Sequence, residues 1–100
     1  MKGYLYILKC GDNSYYTGST NNIEKRFWEH KNFEGAIYTQ KKQPVELVYL
    51  EEFEKIEDAY YREKQIQGWS RSKKESLIQQ NFEKLILLSK NYTEYRDNKK

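Results

Sequence analysis

Arg26, His30 and Glu63 are polar residues standing where helical spacing calls for core residues. On a helix that turns about 100° per residue with Ile23 at zero, Phe27 falls at about 40°, His30 at about −20° and Arg26 at about −60°. Arg26 and His30 therefore share or flank the apolar stripe as an i, i+4 pair. On a later helix with Ala59 at zero, Ile56 falls at about 60°, Ile66 at about −20° and Glu63 at about 40°, inside the stripe. A carboxylate withdrawn from water is costly without a cation, a hydrogen-bond donor or a raised pKa. One resolution is a structural salt bridge from Glu63 to Arg26 or a lysine. The other is a metal carboxylate at the mouth of a cleft, with Arg26 placed to meet an anionic substrate. His30 is open to the same two readings, a hydrogen-bonded core residue or a catalytic one.

The strands must position the remaining polar rings. Residues 3–10 read as a strand and Gly11-Asp12-Asn13-Ser14 as a turn, leading to a second strand from Tyr15 to Gly18. Tyr4 and Tyr6 share a face of the first strand, and Tyr16 and Gly18 a face of the second. An odd-length loop or a bulge puts Tyr6 and Tyr16 on one face, and an even loop separates them. Tyr15, Tyr38, Tyr49, Tyr60 and Tyr61 are read as core aromatics. Ser19-Thr20-Asn21-Asn22 can cap a helix starting near Ile23 and running to about Lys31. Residues 32–44 show no strong periodicity and read as a long basic connection. Residues 45–53 make a third strand, partly alternating and partly continuous in its apolar positions. A helix from Ile56 is expected to stop at a left-handed Gly68, and Ser70 to cap another helix through about Gln80. Residues 81–89 read as a further helical turn packing Phe82, Leu85 and Ile86. The expected architecture is α+β, a small three-stranded antiparallel sheet flanked by helices in the order ββαβαα. Residues 1–89 form one domain and residues 90–100 a polar tail expected to fray.

Composition narrows the classes. One hundred residues allow one domain, and ten Tyr, four Phe and two Trp supply the bulk of a modest core in a chain with 33% charged residues. The longest aliphatic run, Leu85-Ile86-Leu87-Leu88, is far shorter than the roughly 20 residues of a membrane span. The N-terminus lacks a signal-peptide pattern, so a cytoplasmic location is expected. Cys10 and His30 are the sole cysteine and histidine, which excludes a disulfide framework and a structural zinc site within one chain. A net charge of +3 permits a nucleic-acid partner without demanding one.

The same residues carry a family pattern. Tyr4-Leu5-Tyr6, then Tyr16-Thr17-Gly18, then Arg26, His30 and Glu63, resemble the GIY-YIG endonuclease superfamily. More closely, the chain is similar to the small stand-alone bacterial branch related to the N-terminal nuclease domain of the excision-repair excinuclease. Residues 16–26 with His30 match the second motif and its helix, while Arg62-Glu63-Lys64-Gln65-Ile66 and Trp69-Ser70-Arg71 match the later acidic helix and the turn after it. Tyr4 and Leu5 replace Gly and Ile of the first motif, and Thr17 replaces the central Ile of the second.

The resemblance implies hydrolysis of phosphodiester bonds in DNA, with RNA not excluded, using one Mg²⁺ or Mn²⁺ held mainly by Glu63. One carboxylate plus substrate phosphate suffices for such an ion, which retains waters. It implies that Arg26 grips the phosphate oxygens, that Tyr6 receives a proton from the attacking water, and that Tyr16 and His30 position or relay. A phenol titrates near 10, so Tyr6 as a base would require a depressed pKa. Lys41, Lys42, Arg71, Lys73 and Lys74 are candidate phosphate contacts and Trp69 a candidate base-stacking residue. The alternative is a solvated basic surface with a core-packed Trp. Family nucleases usually carry a separate DNA-binding domain, and none is expected within these 100 residues. A footprint this small suits recognition of shape, ends or flaps, as in repair, or work beside a targeting partner protein. The competing readings are a non-cleaving nucleic-acid-binding module and a protein-interaction domain of the same fold.

Overall fold

The computed structural model describes residues 1–32 and 37–80. The helical turn expected over 81–89 and the tail over 90–100 lie outside the described residues. Strand β1 (Gly3–Lys9) is central, flanked by β2 (Tyr15–Thr20) and β3 (Glu46–Phe53) in an antiparallel sheet of order β2-β1-β3. Leu5, Tyr6, Ile7 and Leu8 are all buried, as a strand covered on both faces requires. Helices α1 (Ile23–Lys31), α2 (Ile37–Gln40), α3 (Ile56–Gln67) and α4 (Arg71–Gln80) complete the α+β order read from the sequence.

The β1–β2 loop, Cys10–Ser14, is of odd length. Its Asp12 Oδ1 accepts from the Ser14 amide at 3.0 Å, and Asn13 takes the left-handed conformation at φ 69°. Tyr6 therefore faces Gly18 and Leu8 faces Tyr16, so both tyrosines lie on one side of the sheet. Between β1 and β3 the register shifts, with Ile7 opposite Tyr49 but Leu8 opposite Leu47. The extra residue, Val48, sends Leu47 and Tyr49 to opposite faces, which explains the mixed apolar pattern of that strand. Tyr6, Leu8, Ile23 and Leu47 pack on one face, with Tyr16 and Phe27 against them. Leu5, Ile7, Tyr49 and Ile66 pack on the other, against Trp69 and Leu77.

Three expectations are corrected. Gly68 is right-handed at φ −82°, because the last turn of α3 tightens: the Gly68 amide bonds Gln65 O and the Trp69 amide bonds Ile66 O. The chain then continues directly to Ser70, whose Oγ accepts from the Lys73 amide at 3.2 Å. The long connection contains α2, too short to show a period and held by tertiary hydrogen bonds. Of the tyrosines assigned to the core, Tyr49 is buried, while Tyr38, Tyr60 and Tyr61 are 38%, 49% and 70% exposed.

Candidate active site

The Asn22 side chain accepts from the Lys25 amide at 3.1 Å and starts α1 in the expected place. That phase turns His30 onto the β1–β2 face. His30 is fully buried, and its Nε2 lies 3.0 Å from the Tyr6 hydroxyl. Its ring centroid is 5.2 Å from that of Tyr16, which in turn lies 6.3 Å from that of Tyr6. Gly18 makes room for this group, since a Cβ there would meet the Tyr6 hydroxyl and stand 2.5 Å from Tyr6 Cζ. No glycine among the described residues has a positive φ, so the requirement is for space. Arg26 is half-buried, pairs with Glu29 at 3.3 Å and donates toward the Tyr6 hydroxyl.

Burial pushes the Tyr6 phenol up to about 12, and the hydrogen bond and charge of Arg26 pull against this without reversing it. Tyr6 is thus a neutral phenol at neutral pH, opposite to the depressed value a phenolate base requires. Burial, with the Arg26 charge second, pushes His30 down to about 4.

The unfolded chain protonates His30 near 6.5, so between those two values it binds more protons than the native chain. Stability is full above about pH 6.5 and falls as pH drops toward 4, by about 3 kcal/mol. Urea unfolding from pH 7.5 to 4.5 is expected to show this loss, and His30→Gln to flatten it. An equal slope in the variant would assign the titration to other groups.

Glu63 is half-buried on α3 and forms no ion pair among the described residues. The salt bridge to Arg26 or a lysine is absent there. Instead Ser19 Oγ donates to Glu63 Oε1 at 2.6 Å and Gln67 Nε2 donates to Oε2 at 2.9 Å. Ser19 is the neighbour of Gly18 and faces away from Tyr6, so its bond to Glu63 forms on the opposite side of β2 from that hydroxyl. Its charge still acts on the Tyr6 hydroxyl. No cluster of three acidic, His or Cys side chains suited to a metal occurs among the described residues. A single charged carboxylate with a free lone pair on each oxygen fits a hard, largely hydrated cation such as Mg²⁺ or Mn²⁺ and does not fit tetrahedral zinc.

The basic residues are dispersed. Lys42 pairs with Asp12 at 2.7 Å and lies over the Tyr38 ring, while Lys41 is exposed. Arg71 lies over Tyr15, bonds Asn13 O and pairs with Glu75. Trp69 packs against the second core cluster, with Arg62 and Lys73 over its ring. Lys74 is half-buried on the same helix. Sequence reasoning missed Ser19, Gln67, Tyr38 and Thr39. Tyr38 stacks on Tyr16 at 5.8 Å, and Thr39 Oγ1 lies 2.7 Å from His30 Nδ1. These residue types carry no signal until the chain is folded.

A family model described as the GIY-YIG catalytic domain matches residues 2–76. The chain is 49% identical over 77 residues to a UPF0213 protein of Staphylococcus saprophyticus, a match covering 77% of this chain and 94% of that one. A UPF0213 protein of Natronomonas pharaonis is 48% identical over 75 residues, covering 75% of this chain and 88% of the relative. The solution NMR structure of a UPF0213 protein from Bacillus halodurans is similar with a TM-score of 0.56 at 38% identity, covering 82% of this chain and 87% of that one.

Proposed function

Because the chain belongs to the GIY-YIG family, whose catalytic domain implies nuclease-type activity, we propose that it is a divalent-cation-dependent endonuclease hydrolysing phosphodiester bonds in DNA. The observation that carries this reading is the convergence of Tyr6, Tyr16, Arg26 and His30 on one face of the β1–β2 hairpin.

Each side chain has a role that its environment permits. Arg26, whose side chain is 34% exposed, binds non-bridging phosphate oxygens and offsets charge that grows in the transition state. Tyr6, a neutral phenol beside Arg26, holds the attacking water by a hydrogen bond; as hydroxide develops, the water's proton passes to the Tyr6 oxygen while the phenol's own proton moves to His30 Nε2, 3.0 Å away. Tyr16 and His30 fix the Tyr6 ring. A cation bound at Glu63 would neutralise the phosphate and polarise the leaving oxygen. Ser19 and Gln67 keep the Glu63 carboxylate oriented for this.

Lys41, Lys42, Arg71, Lys73 and Lys74 contribute phosphate contacts. Two of them, Lys42 and Arg71, are already paired with acids, so affinity is weak and salt-sensitive. Trp69 is covered by two cations and supports the fold rather than a base. Such a footprint suits DNA ends, flaps or branches, as in repair, with or without a targeting partner.

The test is incubation with Mg²⁺ or Mn²⁺ and single-stranded, duplex, flap and branched DNA, alongside RNA. Cleavage of at least one DNA is expected, abolished by EDTA and reduced about 10²–10³-fold in Arg26→Ala. Binding in every arm with cutting in none would overturn the nuclease reading in favour of a non-cleaving module.

A further inference from the structure

The protonation pattern around His30 follows from counting donors and acceptors. A phenol has one proton to donate and two lone pairs, whereas a guanidinium only donates. Arg26 therefore cannot accept the Tyr6 proton. Among the described residues, the acceptor within hydrogen-bond distance of the Tyr6 hydroxyl is His30 Nε2 at 3.0 Å. Nε2 must then carry the lone pair, and the proton of a neutral imidazole sits on Nδ1. Nδ1 faces Thr39 Oγ1 at 2.7 Å, and both residues are fully buried.

The contact is braced. Gln43 Nε2 donates both to the carbonyl of His30 and to that of Thr39, the latter at 3.0 Å. One amide thus ties the end of α1 to α2 and keeps the threonine hydroxyl opposite the imidazole. A fully buried imidazole N–H without an acceptor would be costly, so with the Tyr6 proton directed to Nε2 the hydroxyl supplies the acceptor that the Nδ1–H form requires.

We propose that Thr39 is a positioning residue that locks His30 in its Nδ1–H tautomer, so that Tyr6 turns its hydroxyl proton inward to Nε2 and offers its remaining lone pairs on the Arg26 side. Tyr6 then accepts, rather than donates, a hydrogen bond from the attacking water. Only this last link rests on the nuclease reading.

His30 is the sole histidine, so long-range ¹H–¹⁵N correlation spectra of the full chain report its tautomer without overlap. The wild-type protein is expected to show protonated Nδ1 and bare Nε2 at pH 7. Protonated Nε2 would overturn the proposal whatever the activity. Thr39→Val is expected to shift the population toward Nε2–H and to lower kcat about 10–100-fold at unchanged KM, with Thr39→Ser restoring both. A Thr39→Val protein that keeps the wild-type tautomer would also overturn it. Should Thr39→Val fail to fold, Thr39→Ala, which also removes the hydroxyl, decides in its place by the same spectra. A wild-type Nδ1–H tautomer in a protein that cuts no substrate would count against the nuclease reading and leave the lock standing.

Discussion

Glu63→Gln is expected to lower cation-dependent cleavage about 10³-fold while leaving the fold intact. The argument turns on what holds the carboxylate. Ser19 donates to one oxygen and Gln67 to the other. In the amide, Oε1 still accepts from Ser19, and the Gln67 amide can flip to accept from the new NH₂. Both hydrogen bonds to residue 63 therefore survive at the expense of the long bond from Gln67 Nε2 to the Thr17 carbonyl at 3.4 Å, and the unfolding free energy should change by about 1 kcal/mol. What disappears is the negative charge, and an amide oxygen is a much weaker anchor for a hydrated divalent cation. Mn²⁺ binding, read from water-proton relaxation, should weaken in parallel with kcat. Full activity in Glu63→Gln would remove the cation from Glu63. A large loss of stability would instead mean that the residue is structural.

The wheel that singled out Glu63 worked because α3 is long enough to establish a phase, and the same holds for Arg26 and His30 on α1. The wheel could not identify what compensates the acid. The partners are a serine and a glutamine, ordinary surface types, and the serine lies 44 residues away in sequence. The strand pairing was legible as a condition, since loop parity decided whether Tyr6 and Tyr16 meet. It was not legible as an outcome, because the turn is set locally, by the Asp12 carboxylate accepting from the Ser14 amide and by the left-handed Asn13. Helix α2 left no trace, since its four residues make barely one turn. Its placement depends on His30 and Gln43. The direction of the Tyr6 shift was hidden for a similar reason. A base would require a depressed value and Arg26 does favour the phenolate, but the ring is buried to 1% exposure, and desolvation outweighs the neighbouring charge.

That tight enclosure makes Gly18→Ala a damaging substitution at the site. The added methyl would stand 2.5 Å from Tyr6 Cζ and 3.1 Å from Cε1, and closer still to the hydroxyl oxygen. These atoms belong to a rigid ring rather than to the end of a flexible chain, so the whole phenol must move. It has little room, with Tyr16 and His30 packed around it at 6.3 and 5.7 Å between centroids. Overpacking of this kind costs about 1–3 kcal/mol, and losing the buried bond to His30 adds about 1–3 kcal/mol. A loss of about 3 kcal/mol is therefore expected from urea unfolding. Cleavage should fall about 10²-fold, because displacing a positioning group by roughly 1 Å is enough for that. Combining Gly18→Ala with Tyr6→Phe should recover part of the stability, since the oxygen nearest the new methyl is gone, yet recover no activity. Additive stability losses in the double variant would mean that Gly18 and the Tyr6 hydroxyl do not meet. The glycine of the Tyr16-Thr17-Gly18 motif would then need an explanation other than room for the Tyr6 phenol.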